Sequence, residues 1–243
     1  MVKLTIDGQS VEVEEGTTVL KAAKALEIDI PTLCYSPFLE PYAGCRLCTV
    51  KVGEGEGAGL TTSCNLAATE GMNVVTGDDD VRRARRLILE LLLAKAPSVE
   101  RLQELGAEYG ADPLRFGEPD EEALANRCIL CGLCTRICQE RVKAFAIAVN
   151  ERGDRSYVSA PYDATSPDCI ACGSCSSICP TGSARVFDRY DRKVIHQELS
   201  LASNSAVRFT TKQMVPNVPT VYEDDCIHFR QSSSGRAFDA CRI

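Results

Sequence analysis

The chain has 243 residues, 44% hydrophobic and 25% charged, the balance of a soluble globular protein of two small domains. Its net charge of −7 excludes a general nucleic-acid binder, which needs surplus Lys and Arg, and 6% aromatics without Trp exclude stacking platforms for bases. The anomaly is cysteine: fourteen residues, far above ordinary usage yet below the density of a small disulfide scaffold.

Met1 to Val13 (MVKLTIDGQSVEV) alternates polar and apolar residues and has no signal-peptide core. The expected compartment is therefore the reducing cytoplasm, where clustered cysteines bind metal rather than pair. Val2–Ile6 and Val11–Val13 read as paired strands joined at Asp7-Gly8. Thr17 or Thr18 caps a short helix through Val19, Ala22, Ala23 and Leu26, and Pro31 extends the chain into Cys34. Thr49–Val52 is a further strand. Gly53–Gly59 (GEGEGAG) reads as a flexible loop, because its two glutamates would repel phosphate and its glycines lack the dinucleotide spacing.

Within residues 1–77, Cys34, Cys45, Cys48 and Cys64 follow C-x10-C-x2-C-x15-C. The C-x2-C core is that of plant-type [2Fe–2S] ferredoxins, with a longer gap before it. A structural zinc is the competing reading, and a redox-inactive ion would be out of place beside the redox clusters predicted downstream.

Residues 78–122 read as a helical linker. Asp78, Asp79 and Asp80 precede a helix carrying Val81, Ala84, Ile88, Leu91 and Leu92 at helical spacing. Arg82, Arg83, Arg85 and Arg86 read as its solvated face, neutralised by the aspartates. The apolar run Leu87–Ala94, interrupted by Glu90, is too short to cross a bilayer. Pro97-Ser98 breaks the pattern, and a second helix runs from Val99 to about Tyr109, ending at Gly110.

Residues 123–190 contain one motif twice, RCILCGLCTRIC and DCIACGSCSSICP. Cys128, Cys131, Cys134 and Cys138 have the spacing C-x2-C-x2-C-x3-C, repeated by Cys169, Cys172, Cys175 and Cys179 with Pro180 following. This is the bacterial ferredoxin run for [4Fe–4S] clusters, in which the fourth cysteine of each run serves the other cluster. The expected sets are Cys128, Cys131, Cys134 and Cys179 for one cluster, and Cys138, Cys169, Cys172 and Cys175 for the other. Gly132 and Gly173 occupy the same place in each loop, where backbone amides approach sulfur. Zinc sites normally use two separated pairs of ligands, which fits these runs poorly. Gln139 stands where Pro180 stands in the second run and removes no ligand.

Residues 191–243 are polar and aperiodic and read as an extended, partner-docking arm. His196 and His228 have no triad pattern around them. Cys226 and Cys241 are read as free thiols; together with His228 they make only three ligands for a further metal centre.

The stretch TLCYSPFLEPYAGCRLCTVKV, the helix RRLILELLLAKAP and the paired cysteine runs resemble the N-terminal part of the large iron–sulfur subunit of NADH dehydrogenase. The same segment is similar to parts of iron-only hydrogenases and NAD-linked formate dehydrogenases. The resemblance covers roughly residues 1–190 and implies an α+β chain. Its parts are a β-grasp [2Fe–2S] domain, a helical linker and a two-cluster ferredoxin-like domain. Many family members also carry a His-x3-Cys-x2-Cys-x5-Cys segment after the helix; residues 95–127 contain no His or Cys, so no cluster is expected there. The 53 residues after Tyr190 are too few for the catalytic domain of larger members. The resemblance therefore implies an electron-input subunit, with FMN and NAD(P) bound by a partner flavoprotein, a further redox subunit and, in some assemblies, ferredoxin. The alternatives are a free-standing polyferredoxin shuttle and a self-sufficient reductase. The arm argues against the first, and the lack of a flavin or dinucleotide fingerprint argues against the second.

Overall fold

The computed structural model describes residues 1–160, 166–170, 172–184, 207–208 and 220–221. Apart from those last two pairs of residues the arm, with His196, His228, Cys226 and Cys241, lies outside the described residues. The described chain forms two compact units, Met1–Leu133 with Cys179–Ser183, and a second containing Cys134–Ile178.

In the first unit, β1 (Val2–Ile6) and β2 (Gln9–Val13) pair antiparallel with Ile6 opposite Gln9, leaving Asp7 and Gly8 alone in the turn. Both have positive φ, 48° and 80°, as the two-residue turn matching the strand twist requires. The Asp7 carboxylate accepts the Thr76 N–H at 2.8 Å and the Thr76 hydroxyl. This fastens the turn to the end of β5 (Asn73–Val75), which runs parallel to β1. β3 (Thr49–Val52) pairs antiparallel with β5 and with β4 (Gly59–Thr62), giving the order β2-β1-β5-β3-β4.

The helix α1 (Val19–Ala25) begins at Thr18, whose hydroxyl accepts the Lys21 N–H at 3.4 Å. Its buried face, Val19, Leu20, Ala22 and Ala23, joins one core with Leu4, Ile6, Val50 and Val74 of the sheet. This is the β-grasp arrangement that the resemblance implied. β4 and β5 were not legible as strands: each is short, and their pairing partners supply the pattern their own residues lack. Residues 53–58 connect β3 to β4 and include a single 3-10 turn, Gly55–Gly57.

Asp78 caps α2 (Asp79–Lys95), accepting the Val81 N–H at 2.9 Å, while Asp79 and Asp80 fill the first turn. Lys51 of β3 reaches Asp78 at 3.0 Å and Asp80 at 2.7 Å, so the helix is rooted on the sheet. The arginine face differs from expectation. Arg85 is buried, not solvated, and donates to the Thr49 carbonyl and the Tyr109 hydroxyl. Its position is set by α3 (Glu100–Tyr109), which packs over α2 and ends at Gly110 with φ 65°. Gly106 permits the approach, since a Cβ there would lie 2.8 Å from Leu93 Cδ1. Buried Glu90 accepts from Arg115 at 2.9 Å and faces Arg86 at 4.0 Å. An unpredicted α4 (Glu121–Ala125), capped by Asp120, leads into the first cysteine run.

The run enters α5 (Leu133–Glu140), and the second unit continues through a hairpin of β6 (Ala148–Asn150) and β7 (Tyr157–Ser159) to α6 (Ser174–Ser177). Among the described residues no helix is long and apolar enough to cross a membrane.

Leu20 is fully buried between α1 and the sheet. Leu20→Ala should lower stability by about 2–5 kcal/mol, the range for truncating a core leucine. Urea unfolding of the cluster-loaded chain reads this; a change below about 1 kcal/mol would mean that α1 does not anchor the β-grasp core.

Candidate metal centres

β3 and β4 pair with Thr49 opposite Thr62, so Cys48 and Cys64 leave the same end of one hairpin. Ser63 locks that end: its N–H and hydroxyl both donate to the Cys48 carbonyl, at 3.1 and 2.9 Å. The loop holding Cys34 and Cys45 closes by a hydrogen bond from the Cys45 N–H to Cys34 Sγ at 3.3 Å. Cys34, Cys48 and Cys64 are buried and Cys45 half-buried.

The four sulfurs form two pairs. Cys34 hydrogen-bonds Cys45, and Cys48 hydrogen-bonds Cys64. Two adjacent thiolates repel, since unit charges 4 Å apart interact by about 4 kcal/mol at an effective dielectric constant of about 20, so one thiol of each pair is held up and the other down. The hydrogen bond from Cys34 lowers Cys45 to about 6, and that from Cys64 lowers Cys48 to about 7, against an ordinary 9.0. Cys34 and Cys64 are correspondingly pushed up, first by the same hydrogen bonds and then by burial. Two pairs of sulfurs suit two irons with two thiolates each, and metal binding would release the thiol protons.

Backbone N–H groups complete the donor set. The amides of Gly44 and Cys45 point at Cys34, and those of Leu33, Cys34 and Leu47 at Cys45. Ala43 and Arg46 have φ of 57° and 59°, which turns successive amides inward as in an anion-binding nest.

The same device recurs in the later runs. Leu130 and Gly132, with φ of 53° and 75°, flank Cys131, whose sulfur receives the Leu133 amide. Lys143 and Phe145, at 63° and 53°, wrap the chain around Cys138, which accepts from the Ala146 N–H at 3.3 Å and from the Ile147 N–H. Gly173 has φ 77°, so both loop glycines are needed for a left-handed backbone, not only for small size.

The described sulfurs fall into two groups. In the first unit, burial raises Cys131 to about 11, aided by the charges of Cys179 and Cys128 and more weakly by Cys45. In the second, burial raises Cys175 to about 11, aided by Cys172, Cys169 and Cys138. Cys138 is raised too, by burial and then by Cys172 and Cys169. Each run's fourth cysteine thus stands with the other run. Cys134, buried, lies at the start of α5.

A clamp that sequence reasoning missed explains the position of Cys179. Arg127, just before Cys128, donates from Nε to the Thr181 carbonyl at 3.2 Å, joining positions 54 residues apart. The Thr181 hydroxyl lies 3.6 Å from Cys179 Sγ. Ser174 stands 3.4 Å from Cys172 Sγ in the same role. A hydroxyl next to a motif cysteine, as at Ser63, is a readable signal; the Arg127 bond to a backbone carbonyl leaves none.

Residues 1–79 match the family described as "2Fe-2S iron-sulfur cluster binding domain", and residues 127–183 the "4Fe-4S dicluster domain". A chain of the NAD+-reducing [NiFe]-hydrogenase, in the H2-reduced state, superposes with a TM-score of 0.63 at 30% identity, covering 75% of this chain and 86% of that one. The chain belongs to the family of iron–sulfur subunits of NAD(P)-linked oxidoreductases. Among curated relatives, an NADH-quinone oxidoreductase subunit from Rhizobium meliloti is 38% identical over 63% of this chain and 20% of its own length. The NADPH-Fe(3+) oxidoreductase alpha subunit of Geobacter sulfurreducens is 35% identical over 65% of this chain and 21% of its own. The HndD subunit of the NADP-reducing hydrogenase of Solidesulfovibrio fructosivorans is 36% identical over 67% and 32%. The chain thus spans about a fifth to a third of the length of these curated relatives. It carries one [2Fe–2S] domain and one dicluster [4Fe–4S] domain.

If Cys179 serves beside Cys128 and Cys131, Cys179→Ala should cost the cluster of the first run and spare that of Cys169, Cys172 and Cys175. EPR of the reduced variant should lose one of two [4Fe–4S] signals, with about four irons gone per chain. Loss of the signal belonging to the second run instead would refute the exchange.

Proposed function

We propose that this chain is an electron relay within a multi-subunit NAD(P)-linked oxidoreductase, passing single electrons between a partner's flavin and another redox centre. The observation that carries this reading is the sorting of thiols: two pairs at the β3–β4 end, and two groups in the later runs, each containing the other run's fourth cysteine. The ligand sets proposed are Cys34, Cys45, Cys48 and Cys64 for a [2Fe–2S] cluster; Cys128, Cys131, Cys134 and Cys179 for one [4Fe–4S] cluster; and Cys138, Cys169, Cys172 and Cys175 for a second. Bound there, the clusters supply one-electron Fe(II)/Fe(III) exchange.

The chain's own residues prepare that exchange. The inward amides at positions 44, 45, 133, 146 and 147 donate to sulfur and stabilise the anionic form of each ligand. Burial of Cys34, Cys48, Cys64 and Cys131 excludes water. The charge of Cys45 contributes to the rise at Cys131, and both residues lie in the first compact unit, which supports passage of an electron between their centres. Residues 1–77 would act as the [2Fe–2S] part, 78–122 as a rigid spacer and 123–190 as the two-cluster part. We place the protein in the cytoplasm, where free thiols persist long enough to be metallated.

NAD(P)H delivers a hydride, whereas each centre here takes one electron, and a flavin is the usual device for splitting the pair. FMN and the nicotinamide are therefore assigned to a partner flavoprotein, with a further redox subunit, or ferredoxin, at the other end. The reconstituted chain should contain about ten iron and ten sulfide, should be reduced by dithionite, and should be left oxidised by NADH or NADPH until the flavoprotein is added. Direct reduction of the flavin-free chain by either nucleotide at a catalytically useful rate would overturn the relay reading.

A further inference from the structure

Among the described residues, a buried cation held to the residue after Cys48 has no side-chain anion to answer it. Arg85 of α2 is 3% exposed. Nη2 donates to the Thr49 carbonyl at 2.8 Å and Nη1 to the Tyr109 hydroxyl at 3.1 Å; both acceptors are neutral. Nε is buried without a hydrogen-bond partner. The Tyr109 ring, its centroid 5.8 Å from the guanidinium carbon, adds only its face, and Arg82 also stands against this ring at 5.5 Å. Nearby carboxylates are engaged elsewhere: Asp78 and Asp80 with Lys51, and Glu90 with Arg86 and Arg115. Arginine does not shed its proton on burial. An ion taken out of water without an opposite charge is strongly destabilising, so this arrangement requires an anion that the side chains of α2 and α3 do not provide.

The backbone points to where that anion is. Thr49, which Arg85 holds, directly follows Cys48 and pairs with Thr62, two residues before Cys64. We propose that Arg85 is the counter-charge of the four-thiolate site and sets the reduction potential of its [2Fe–2S] centre, an inference that rests on the ligand assignment above. Four thiolates around two irons and two sulfides are already net anionic, and one further electron adds a negative charge with no proton required. Arg85 therefore favours the reduced form, and it does so by its charge rather than by its hydrogen bond to Thr49.

The test is an anaerobic redox titration of the full cluster-loaded chain, following the reduced [2Fe–2S] EPR signal. Arg85→Gln keeps a donor for Thr49 and removes the charge; Arg85→Met removes both; Arg85→Lys keeps the charge; Tyr109→Phe removes only a hydrogen bond. At a fixed solution potential, the Gln and Met variants should show a reduced-to-oxidised ratio about tenfold below wild type, a shift of about 59 mV for a one-electron couple. The Phe variant, and the Lys variant at a pH where its ammonium stays protonated, should stay within about twofold, because each retains a buried unit charge. A Gln variant that titrates like wild type, or a Lys variant that falls as far as Gln, overturns the assignment. Wild-type protein lacking the [2Fe–2S] signal would instead remove the ligand assignment itself, so the two failures are distinguishable.

Discussion

Gathering sulfurs close together, several of them buried, is the constraint on which the rest of this structure depends. A thiolate out of water is destabilised by lost hydration, and a second beside it is destabilised again by repulsion. The chain offsets both with backbone N–H groups, which carry partial positive charge and lie wherever the backbone turns. Ala43, Arg46, Leu130, Lys143 and Phe145 have positive φ without being glycine, an arrangement of modest local cost. In each case the turn aims amides at a cysteine sulfur or flanks one. At these five positions backbone strain and sulfur stabilisation coincide, whereas the positive φ of Asp7 serves the β1–β2 turn.

The β-grasp unit serves this constraint by fixing chain ends. The β3–β4 hairpin brings Cys48 and Cys64 out together, and Ser63 locks them with two bonds to one carbonyl. α1 seals the other face with Val19, Leu20, Ala22 and Ala23. α2 is then tied back to the hairpin twice: Lys51 to the aspartates at its start, and Arg85 to Thr49 further along the helix. The helix that reads in sequence as a linker is thus part of the frame of the first metal centre. Closure of the first cysteine run depends equally on a distant bond, from Arg127 to the Thr181 carbonyl.

The cysteine motifs of the [2Fe–2S] and dicluster [4Fe–4S] domains were legible in the sequence, because metal geometry forces close spacing on cysteines, and spacing is a one-dimensional property. The sequence by itself determined the Asp7-Gly8 turn, the α1 face, the Asp78 cap and the Gly110 stop for a similar reason, since each is set by residues within a turn of one another. The edge of what it determined is visible at Arg85. Four arginines in five positions beside three aspartates read as a solvated face, and only the packing of α3 over α2 takes Arg85 inside. β4 and β5 were out of reach for the same physical reason: GLTT and NVV carry no period of their own and become strands only because β3 and β1 offer hydrogen-bonding edges. Tertiary structure alone decided which sulfurs pair, which amides face them, and that a cation stands behind Cys48. Those are contacts between residues far apart in the chain, and no local pattern records them.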